Sequence, residues 1–237
     1  MLKVLIYNEF KHEQMTGSKP AEVYPKGIHI ALRDALKDEF DVKTVTLDTC
    51  EEITDELLSE TDVMLWWGHM HHNDVPDEIA RRVQQAVLEG MGFIVLHSGH
   101  HSKPFKLLMG TNCNITWRED GDRELIWVCK PSHPIAKGIG RFIKLDHEET
   151  YGEPFGIPEP DETVFIGNYE GGEVLRSGCC WTRENGKIFY FQPGHETFPI
   201  YYNEEIIKVI KNAINWAAPI YRTKIECPNV KKPLEDI

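Results

Sequence analysis

Histidines are concentrated in four short segments of this sequence. They are residues 66–72 (WWGHMHH), 95–102 (VLHSGHHS), 146–151 (DHEETY) and 191–196 (FQPGHE), which together contain eight of the 11 histidines. An imidazole changes its charge near neutral pH, so it can act as a general acid or base, and it is a common metal ligand. The grouping predicts one polar site assembled from distant parts of the chain.

Within these segments, histidines beside glycine or acidic residues are the candidates for acid–base chemistry. Glycine at such a junction lets the backbone approach a ligand closely. The predicted catalytic residues are His97, His147, His195, Glu149 and Tyr151. The predicted substrate-binding residues lie at or near the same junctions and are Asn8, Trp67, Ser98 and Phe198. The remaining histidines of the segments, His72, His100 and His101, are interpreted as loop residues.

A divalent metal such as Zn²⁺ is a second use for the same histidines. His69 and His71 form an H-x-H pair, and on an extended segment both rings point to the same side. His147 and Glu149 form a second pair with the same spacing. The predicted metal ligands are therefore His69, His71 and His147. The alternative, in which these histidines act as acids and bases without a metal, stays open.

Residues 95–99 (VLHSG) lie where α/β enzymes place a nucleophile on a sharp turn between a strand and a helix. His97 occupies the position where a cysteine or serine nucleophile would stand. If Ser98 is taken as the nucleophile instead, Leu96 and His100 replace both glycines of that turn. Covalent catalysis at this turn is therefore not expected.

Short apolar strands alternate with helices through the first hundred residues, which predicts a mainly parallel sheet with helices on both faces. Ligands bind such sheets at the carboxyl ends of the strands. Three of the histidine segments, residues 66–72, 95–102 and 191–196, lie where predicted strands end, and residues 146–151 come before the last of these strands. The predicted strands are residues 3–7, 42–47, 62–67 and 92–96. Helices are predicted for residues 24–40, from Thr54, and from Pro76 to Gly90.

The second half of the chain predicts antiparallel additions to this sheet. Residues 115–130 are interpreted as a hairpin around Asp120-Gly121, and Asn185-Gly186 as a type I′ turn of another hairpin. Further strands are predicted at residues 141–145, 163–169, 173–180 and 187–191, followed by a helix at 203–217. Residues 1–218 are expected to form one domain, and residues 219–237 a C-terminal extension along the surface.

The amino-acid composition argues against several classes of protein for this chain, among them nucleic-acid-binding, membrane-spanning and disulfide-rich proteins. The 237-residue chain is 41% hydrophobic and 27% charged, with a net charge of -12, so binding to a nucleic-acid backbone is not expected. No apolar run approaches the ~18 residues of a membrane span, and the first strand is too short for a secretory signal. The six cysteines form no C-x-x-C pair, and Cys179-Cys180 is interpreted as buried strand sulfur. A reduced, cytoplasmic protein without a nucleotide-cofactor motif is expected.

In order and spacing, several of these segments resemble the ThuA-like family, named for trehalose utilisation. The resemblance runs from Lys3 to about Ala218 and includes WWGHMHH, VLHSGHHS, SHPIAKGI (residues 132–139), DHEETYGEP (146–154) and FQPGHETFP (191–199). It implies the flavodoxin-like fold of class I glutamine amidotransferases. That superfamily has a cysteine on the turn where His97 stands here, and its late H-x-E is replaced by Gly194-His195-Glu196, so glutamine hydrolysis is not expected.

The resemblance also implies a role with disaccharides or oxidised keto-sugars. Aromatic rings beside polar groups suit the flat C–H faces and hydroxyls of a sugar. Aromatic candidates for that contact are Trp66, Trp67, Trp117, Tyr151 and Phe198. The leading hypothesis is a carbohydrate-modifying enzyme that forms homo-oligomers. The rival is a non-catalytic sugar-binding or assembly subunit that works beside a partner enzyme.

Overall fold

A nine-stranded sheet forms the centre of the computed structural model, which describes residues 1–233 and 235. Its strand order is β2-β1-β3-β4-β11-β10-β9-β6-β7, and β5 pairs with β8 in a separate two-stranded ribbon. The strands are β1 Lys3–Asn8, β2 Asp41–Thr46, β3 Val63–Trp67, β4 Gly92–Leu96, β5 Thr116–Arg118, β6 Glu124–Val128, β7 Phe142–Leu145, β8 Thr150–Gly152, β9 Glu162–Tyr169, β10 Val174–Arg183 and β11 Gly186–Phe191.

The sheet has a parallel half and an antiparallel half. Strands β2, β1, β3, β4 and β11 run parallel to their neighbours in that order. Strands β10, β9, β6 and β7 continue it in antiparallel pairs. The predicted fold, an open and mainly parallel flavodoxin-like sheet with antiparallel additions in the second half, is confirmed.

Helices cover both faces of this sheet. They are α1 Lys19–Val23, α2 Ile28–Leu36, α3 Asp55–Glu60, α4 Asp77–Leu88, α5 Lys103–Met109 and α6 Glu204–Ala217. Helices α2 and α6 pack on one face, and α3, α4 and α5 pack on the other. Because side chains alternate along a strand, Val4 and Ile6 of β1 enter the first core while Leu5 and Tyr7 enter the second.

Local sequence signals account for several element boundaries. The Asn203 side chain accepts hydrogen bonds from the backbone N–H groups of Glu205 and Ile206 and so caps α6. Thr54 caps α3 in the same way through the N–H of Leu57. The predicted helix over residues 24–40 is shorter in the structure, because Gly27 has a φ of 89° and α2 begins only at Ile28.

The predicted hairpin over residues 115–130 is wrong. Strand β5 pairs with β8, whereas β6 pairs with β7 and β9, so the two halves of that segment enter different sheets. The hairpin between β10 and β11 does form, but its turn is Glu184-Asn185. Gly186 is already in β11, where a Cβ atom would lie 2.0 Å from the carbonyl oxygen of Val87.

The described part of the C-terminal extension follows the protein surface without helix or strand. The Arg222 guanidinium donates hydrogen bonds to the carbonyl groups of Leu58 and Thr61, and the Thr223 N–H donates to Glu89. Cys179 and Cys180 are buried in β10, as predicted. Across residues 1–233 and 235, the structure contains no helix with the length and apolar character needed to cross a membrane.

Candidate metal centre and substrate pocket

Three neighbouring parallel strands each deliver one histidine to the same edge of the sheet. His69 follows β3, His97 follows β4 directly, and His195 lies four residues beyond β11. Because β3, β4 and β11 are adjacent and parallel, their carboxyl ends meet at this edge. A pocket of about 610 Å³ opens there, and its polar lining includes His69, Glu149, His195 and Glu196.

Four side chains at this edge form a cluster that could hold a metal ion. One potential ligand atom from each of His69, His97, Glu149 and His195 lies within 4.8 Å of the others. The Oε2 atom of Glu149 is 3.1 Å from His97 Nε2 and 3.8 Å from His195 Nε2. Imidazole nitrogens with one carboxylate oxygen are a ligand set suited to Zn²⁺ and other divalent transition metals.

Each of the three histidines has a hydrogen-bond partner at its Nδ1 atom. The Nδ1 atom of His69 lies 2.6 Å from Glu196 Oε1, and that of His97 lies 3.0 Å from the Gln192 carbonyl oxygen. The Nδ1 atom of His195 lies 2.7 Å from Thr197 Oγ1. With Nδ1 engaged, Nε2 is the remaining ring nitrogen in each case. His69 and His97 show the pattern of metal-binding histidines, in which the second ring nitrogen donates to a carboxylate or carbonyl oxygen and so holds the ring in place.

Unpartnered polar atoms also fit a cation at this position. His195 Nε2 and Glu196 Oε2 are buried and have no hydrogen-bond partner among the described residues. They lie 3.9 Å apart. Burial of a polar atom without a partner is unfavourable, and a metal ion beside these atoms would compensate for it.

Burial and mutual charge set the protonation of the cluster. Burial alone would lower the pKa of His97, but the hydrogen bond and charge of Glu149 raise it above its usual value. The pKa of Glu149 is lowered in turn, because the hydrogen bond and charge of His97 outweigh the effect of burial. Burial and the neighbouring His97 lower the pKa of His195 to about 4. His195 is therefore neutral at pH 7, which is the form that binds a metal.

Two buried carboxylates hold the turns that carry these candidate ligands. Glu9, immediately after β1, accepts hydrogen bonds from the backbone N–H groups of His69 and His71 at 2.8 Å and of Met70 at 3.1 Å. Three consecutive amides directed at one carboxylate define the turn after β3. Hydrogen bonds to an ionised acceptor are stronger than neutral ones, so this contact positions His69 firmly.

Glu148 performs the same role on the opposite side of the cluster. Its carboxylate accepts hydrogen bonds from the N–H groups of Gly194 (2.8 Å), His195 (3.1 Å) and Glu149 (2.8 Å). Glu148 thereby joins two of the candidate ligands to one another through their backbones. Burial raises the pKa of Glu148 to about 7, although these three donors oppose the shift.

Four of the residues predicted from the sequence form the cluster, and two more, Ser98 and Tyr151, lie beside it. His69, His97, His195 and Glu149 form it. The Tyr151 ring stacks on His97 with centroids 5.2 Å apart, and its hydroxyl lies 2.5 Å from Ser98 Oγ. Ser98 and Tyr151 also line the pocket. His97 has a φ of 51°, so the turn after β4 has the left-handed backbone conformation expected of a sharp strand-to-helix junction.

His71 and His147 lie apart from the cluster, although both were predicted as metal ligands. His71 Nδ1 contacts Asp74 at 2.7 Å. Residues 68–71 form a bend organised by Glu9, so the alternation of an extended segment does not apply to the H-x-H pair. His147 is exposed, donates a hydrogen bond to the Gly121 carbonyl at 2.8 Å and stacks on Phe198.

Three of the predicted substrate-binding residues do not line the pocket. Trp67 is buried in the core, and its indole N–H donates to the Gly194 carbonyl. Asn8 is buried and contacts Glu13 and His29 instead. Phe198 is half-buried between the rings of His147 and His195.

Several residues of the site were not selected from the sequence. Glu196 contacts both His12 and His69, and Glu9 and Glu148 hold the ligand-bearing turns. Glu119 lines the pocket, with Oε1 3.7 Å from His195 Nε2. Glu9 and Glu196 lie at strand ends, so their positions offered a signal in the sequence. His12 and Glu119 are far from any histidine segment and offered none. Only folding brings these two to the site.

Glu196→Gln should weaken metal binding without removing it. The carboxylate of Glu196 accepts hydrogen bonds from Nδ1 of both His69 and His12, and these bonds hold its pKa well below its usual range despite burial. Loss of a partner that orients a metal ligand typically costs about 10–100-fold in affinity. Competition with a chromogenic chelator measures this change. An unchanged affinity would mean that Glu196 does not orient a ligand.

Comparison with known proteins agrees with this architecture. A sequence model of a family described as "ThuA: Trehalose utilisation" matches residues 3–217. The chain belongs to the ThuA family. The description of the family indicates a role in carbohydrate metabolism. No curated protein matches the chain by sequence.

Solved structures show the same fold at low sequence identity. A ThuA-like protein from Parabacteroides merdae is 16% identical, with a TM-score of 0.70 over 95% of this chain and 92% of that one. A cytoplasmic protein from Salmonella typhimurium is 13% identical, with a TM-score of 0.64 over 92% and 100%. A glutamine amidotransferase from Thermotoga maritima is 12% identical, with a TM-score of 0.56 over 90% and 96%.

Proposed function

We propose that this ThuA-family protein is a metal-dependent enzyme that modifies an uncharged carbohydrate. In this proposal a divalent metal is bound by His69, His97, Glu149 and His195 at the floor of the pocket. The observation that carries the proposal is the convergence of these four side chains, with each histidine held through its Nδ1 atom. The family supports the choice of carbohydrate as substrate.

The charges around the pocket favour an uncharged substrate. Its lining includes the carboxylates of Glu119, Glu149 and Glu196, and no lysine or arginine is among the described residues that line it. Enzymes that bind phosphorylated or carboxylated substrates typically place Arg or Lys at the anionic group. A neutral sugar, in contrast, needs hydroxyl, imidazole and carboxylate partners, and this pocket supplies all three.

A bound divalent metal would act as a Lewis acid on a carbonyl or hydroxyl oxygen of the sugar. His195 then acts as a ligand, so the acid–base role predicted for it passes to a group nearby. Glu119 is exposed on the pocket wall and has its carboxylate 3.7 Å from His195 Nε2. From there it can accept a proton from a substrate hydroxyl. Tyr151 stays a neutral hydroxyl, because burial raises its pKa well above the usual value.

The cysteines support chemistry other than that of glutamine amidotransferases. His97 occupies the turn after β4, and no cysteine is among the described residues lining the pocket. Cys113, Cys179 and Cys180 are buried, and burial raises the pKa of each thiol. A thiolate nucleophile is therefore not part of this site.

Metal removal tests this proposal directly. Protein purified without a His tag should contain about one divalent metal per chain by elemental analysis. Treatment with a chelator should abolish turnover of a disaccharide or its keto derivative, and Zn²⁺ or Mn²⁺ should restore it. His71→Ala is the matched control and should keep its metal, because that ring contacts Asp74 instead.

Two outcomes would contradict the proposal. Protein that stays metal-free after supplementation with several divalent ions would exclude the metal centre. Metal-loaded protein that binds sugars but converts none, alone or with its metal exchanged, would favour a sugar-binding subunit instead.

A further inference from the structure

Glu124 is a buried carboxyl group that the proposed metal centre does not use. It lies at the start of β6 and is 0% exposed. Among the described residues, the charged group that acts on its carboxyl is Glu148, another acid, and no cation pairs with it. Burial and the nearby Glu148 raise the pKa of Glu124 well above its usual value, because an unpaired carboxylate is unfavourable away from water. Glu124 is therefore a neutral acid, and its hydroxyl can donate a hydrogen bond.

Gln192, directly after β11, connects Glu124 to two of the candidate metal ligands. The Gln192 side chain is buried, and one end of its amide group lies 3.2 Å from both carboxyl oxygens of Glu124. The backbone carbonyl oxygen of Gln192 lies 3.0 Å from His97 Nδ1, and its side-chain Nε2 lies 3.3 Å from the carbonyl oxygen of Glu149. A single residue thus contacts one ligand that follows β4 and another that precedes β8.

The carbonyl group of Glu149 determines the orientation of the Gln192 amide. A carbonyl oxygen only accepts hydrogen bonds, so the nitrogen of the amide faces it. The amide oxygen then faces Glu124, and it lies 2.9 Å from the Tyr169 hydroxyl. An ionised Glu124 would place two charged oxygens beside this amide oxygen, and the single proton of Tyr169 could not satisfy all of them. A protonated Glu124 removes the conflict, because it donates to the amide oxygen.

Gly167 of β9 provides the space for the Glu124 carboxyl group. Strand β9 pairs with β6, and Gly167 lies opposite Ile126, two residues from Glu124. A Cβ atom at position 167 would lie 2.3 Å from Glu124 Oε1, which is closer than non-bonded atoms approach. Any other residue at this position would displace the carboxyl group. The missing side chain in β9 therefore helps to keep Glu124 beside Gln192.

We propose that Glu124 is a positioning residue of the metal centre and acts as a hydrogen-bond donor to Gln192, which holds His97 and Glu149. This inference rests on the proposed function. Gln192 keeps its backbone carbonyl on His97 and its amide nitrogen on Glu149 because its amide oxygen has a donor. Groups that orient metal ligands contribute to metal affinity without touching the metal. A neutral acid does this without adding a negative charge to a region that already contains the carboxylates of Glu149 and Glu196.

Glu124→Gln and Glu124→Met separate the effect of a hydrogen-bond donor from that of a space-filling side chain. Glutamine has the same shape and an N–H donor, so this variant should bind Co²⁺ as the wild type does. Methionine fills a similar volume without a donor and should weaken Co²⁺ binding by about tenfold or more. The visible absorption of bound Co²⁺ reports the ligand geometry and should shift in Glu124→Met alone. The matched control is Glu162→Met, since Glu162 of β9 pairs with Lys130, and its Co²⁺ affinity and absorption should not change.

Infrared spectroscopy of the metal-free protein tests the neutral acid separately. A protonated carboxyl group and a carboxylate absorb at different positions. The wild-type spectrum at pH 7 should therefore contain a band of a protonated carboxyl group that Glu124→Gln lacks. A wild type without that band would overturn the inference, whether or not Glu124→Met folds.

Metal binding by the wild type distinguishes this inference from the proposed function. In a wild type that binds Co²⁺, unchanged affinity and absorption of Glu124→Met would show that Glu124 positions nothing. Equal losses in Glu124→Gln and Glu124→Met would show that the charge of a carboxylate is needed, which also overturns the inference. Both results leave the metal centre in place. A wild type that binds no divalent metal would overturn the inference and the proposed function together.

Discussion

His195→Ala is expected to lower the metal affinity of the protein more than about 100-fold. The substitution removes a ligand, which should cost more than the 10–100-fold typical of groups that only orient one. Metal bound to the native state also stabilises it by mass action, by about 4 kcal/mol when its concentration is 1,000 times the Kd. Added Zn²⁺ should therefore raise the melting temperature of the wild type but not that of the variant.

His147→Ala provides the matched control for this result. Both histidines belong to the segments selected from the sequence, but His147 is exposed and contacts Gly121 and Phe198. The control should bind metal as the wild type does. The reverse pattern, with metal lost in His147→Ala and kept in His195→Ala, would show that the four-residue cluster is not the binding site.

Glu9→Ala is expected to destabilise the protein by at least about 3 kcal/mol. Glu9 is 2% exposed, and its carboxylate accepts hydrogen bonds from three consecutive backbone amides. A hydrogen bond to a charged group contributes roughly 1.5–3 kcal/mol, and the substitution leaves all three donors without that acceptor. Urea denaturation measures the free energy of unfolding. A fall in melting temperature of roughly 10 °C should accompany it.

Two further variants show whether loss of the Glu9 carboxylate causes the loss of stability. Glu9→Gln keeps one oxygen acceptor but no charge, so it should lie between Glu9→Ala and the wild type. Glu52 is exposed at the end of the 3-10 helix after β2, and Glu52→Ala should change stability by less than about 0.5 kcal/mol. Stability of Glu9→Ala within 1 kcal/mol of the wild type would mean that water replaces the carboxylate without loss.

The site depends on rigid turns at strand ends. Glu9 and Glu148 each bind consecutive amides of a turn that carries a candidate ligand, and neither lines the pocket. Their variants should therefore change metal affinity through the positions of His69 and His195. This division of roles explains why so many buried carboxylates surround the histidines.

Much of the framework could be predicted from local signals. Strands β1, β3 and β4 are short, continuous apolar runs because both faces of a parallel sheet are buried. Asn203 marked the start of α6 because a side-chain oxygen must satisfy the first free amides. Residues 115–119 were predicted to pair with the wrong strand. The alternation of side chains shows which of them share a face of a strand, but not which strand lies opposite.

For the site itself, the sequence determined that histidines follow the parallel strands, and therefore that His69, His97 and His195 reach one edge. Tertiary structure alone decided which groups complete that edge. His71 turns away because Glu9 bends its backbone, and Glu149 replaces His147 because the pairing of β8 with β5 points Glu149 into the pocket. Both effects come from contacts between residues more than 30 positions apart, which no local pattern in the chain records.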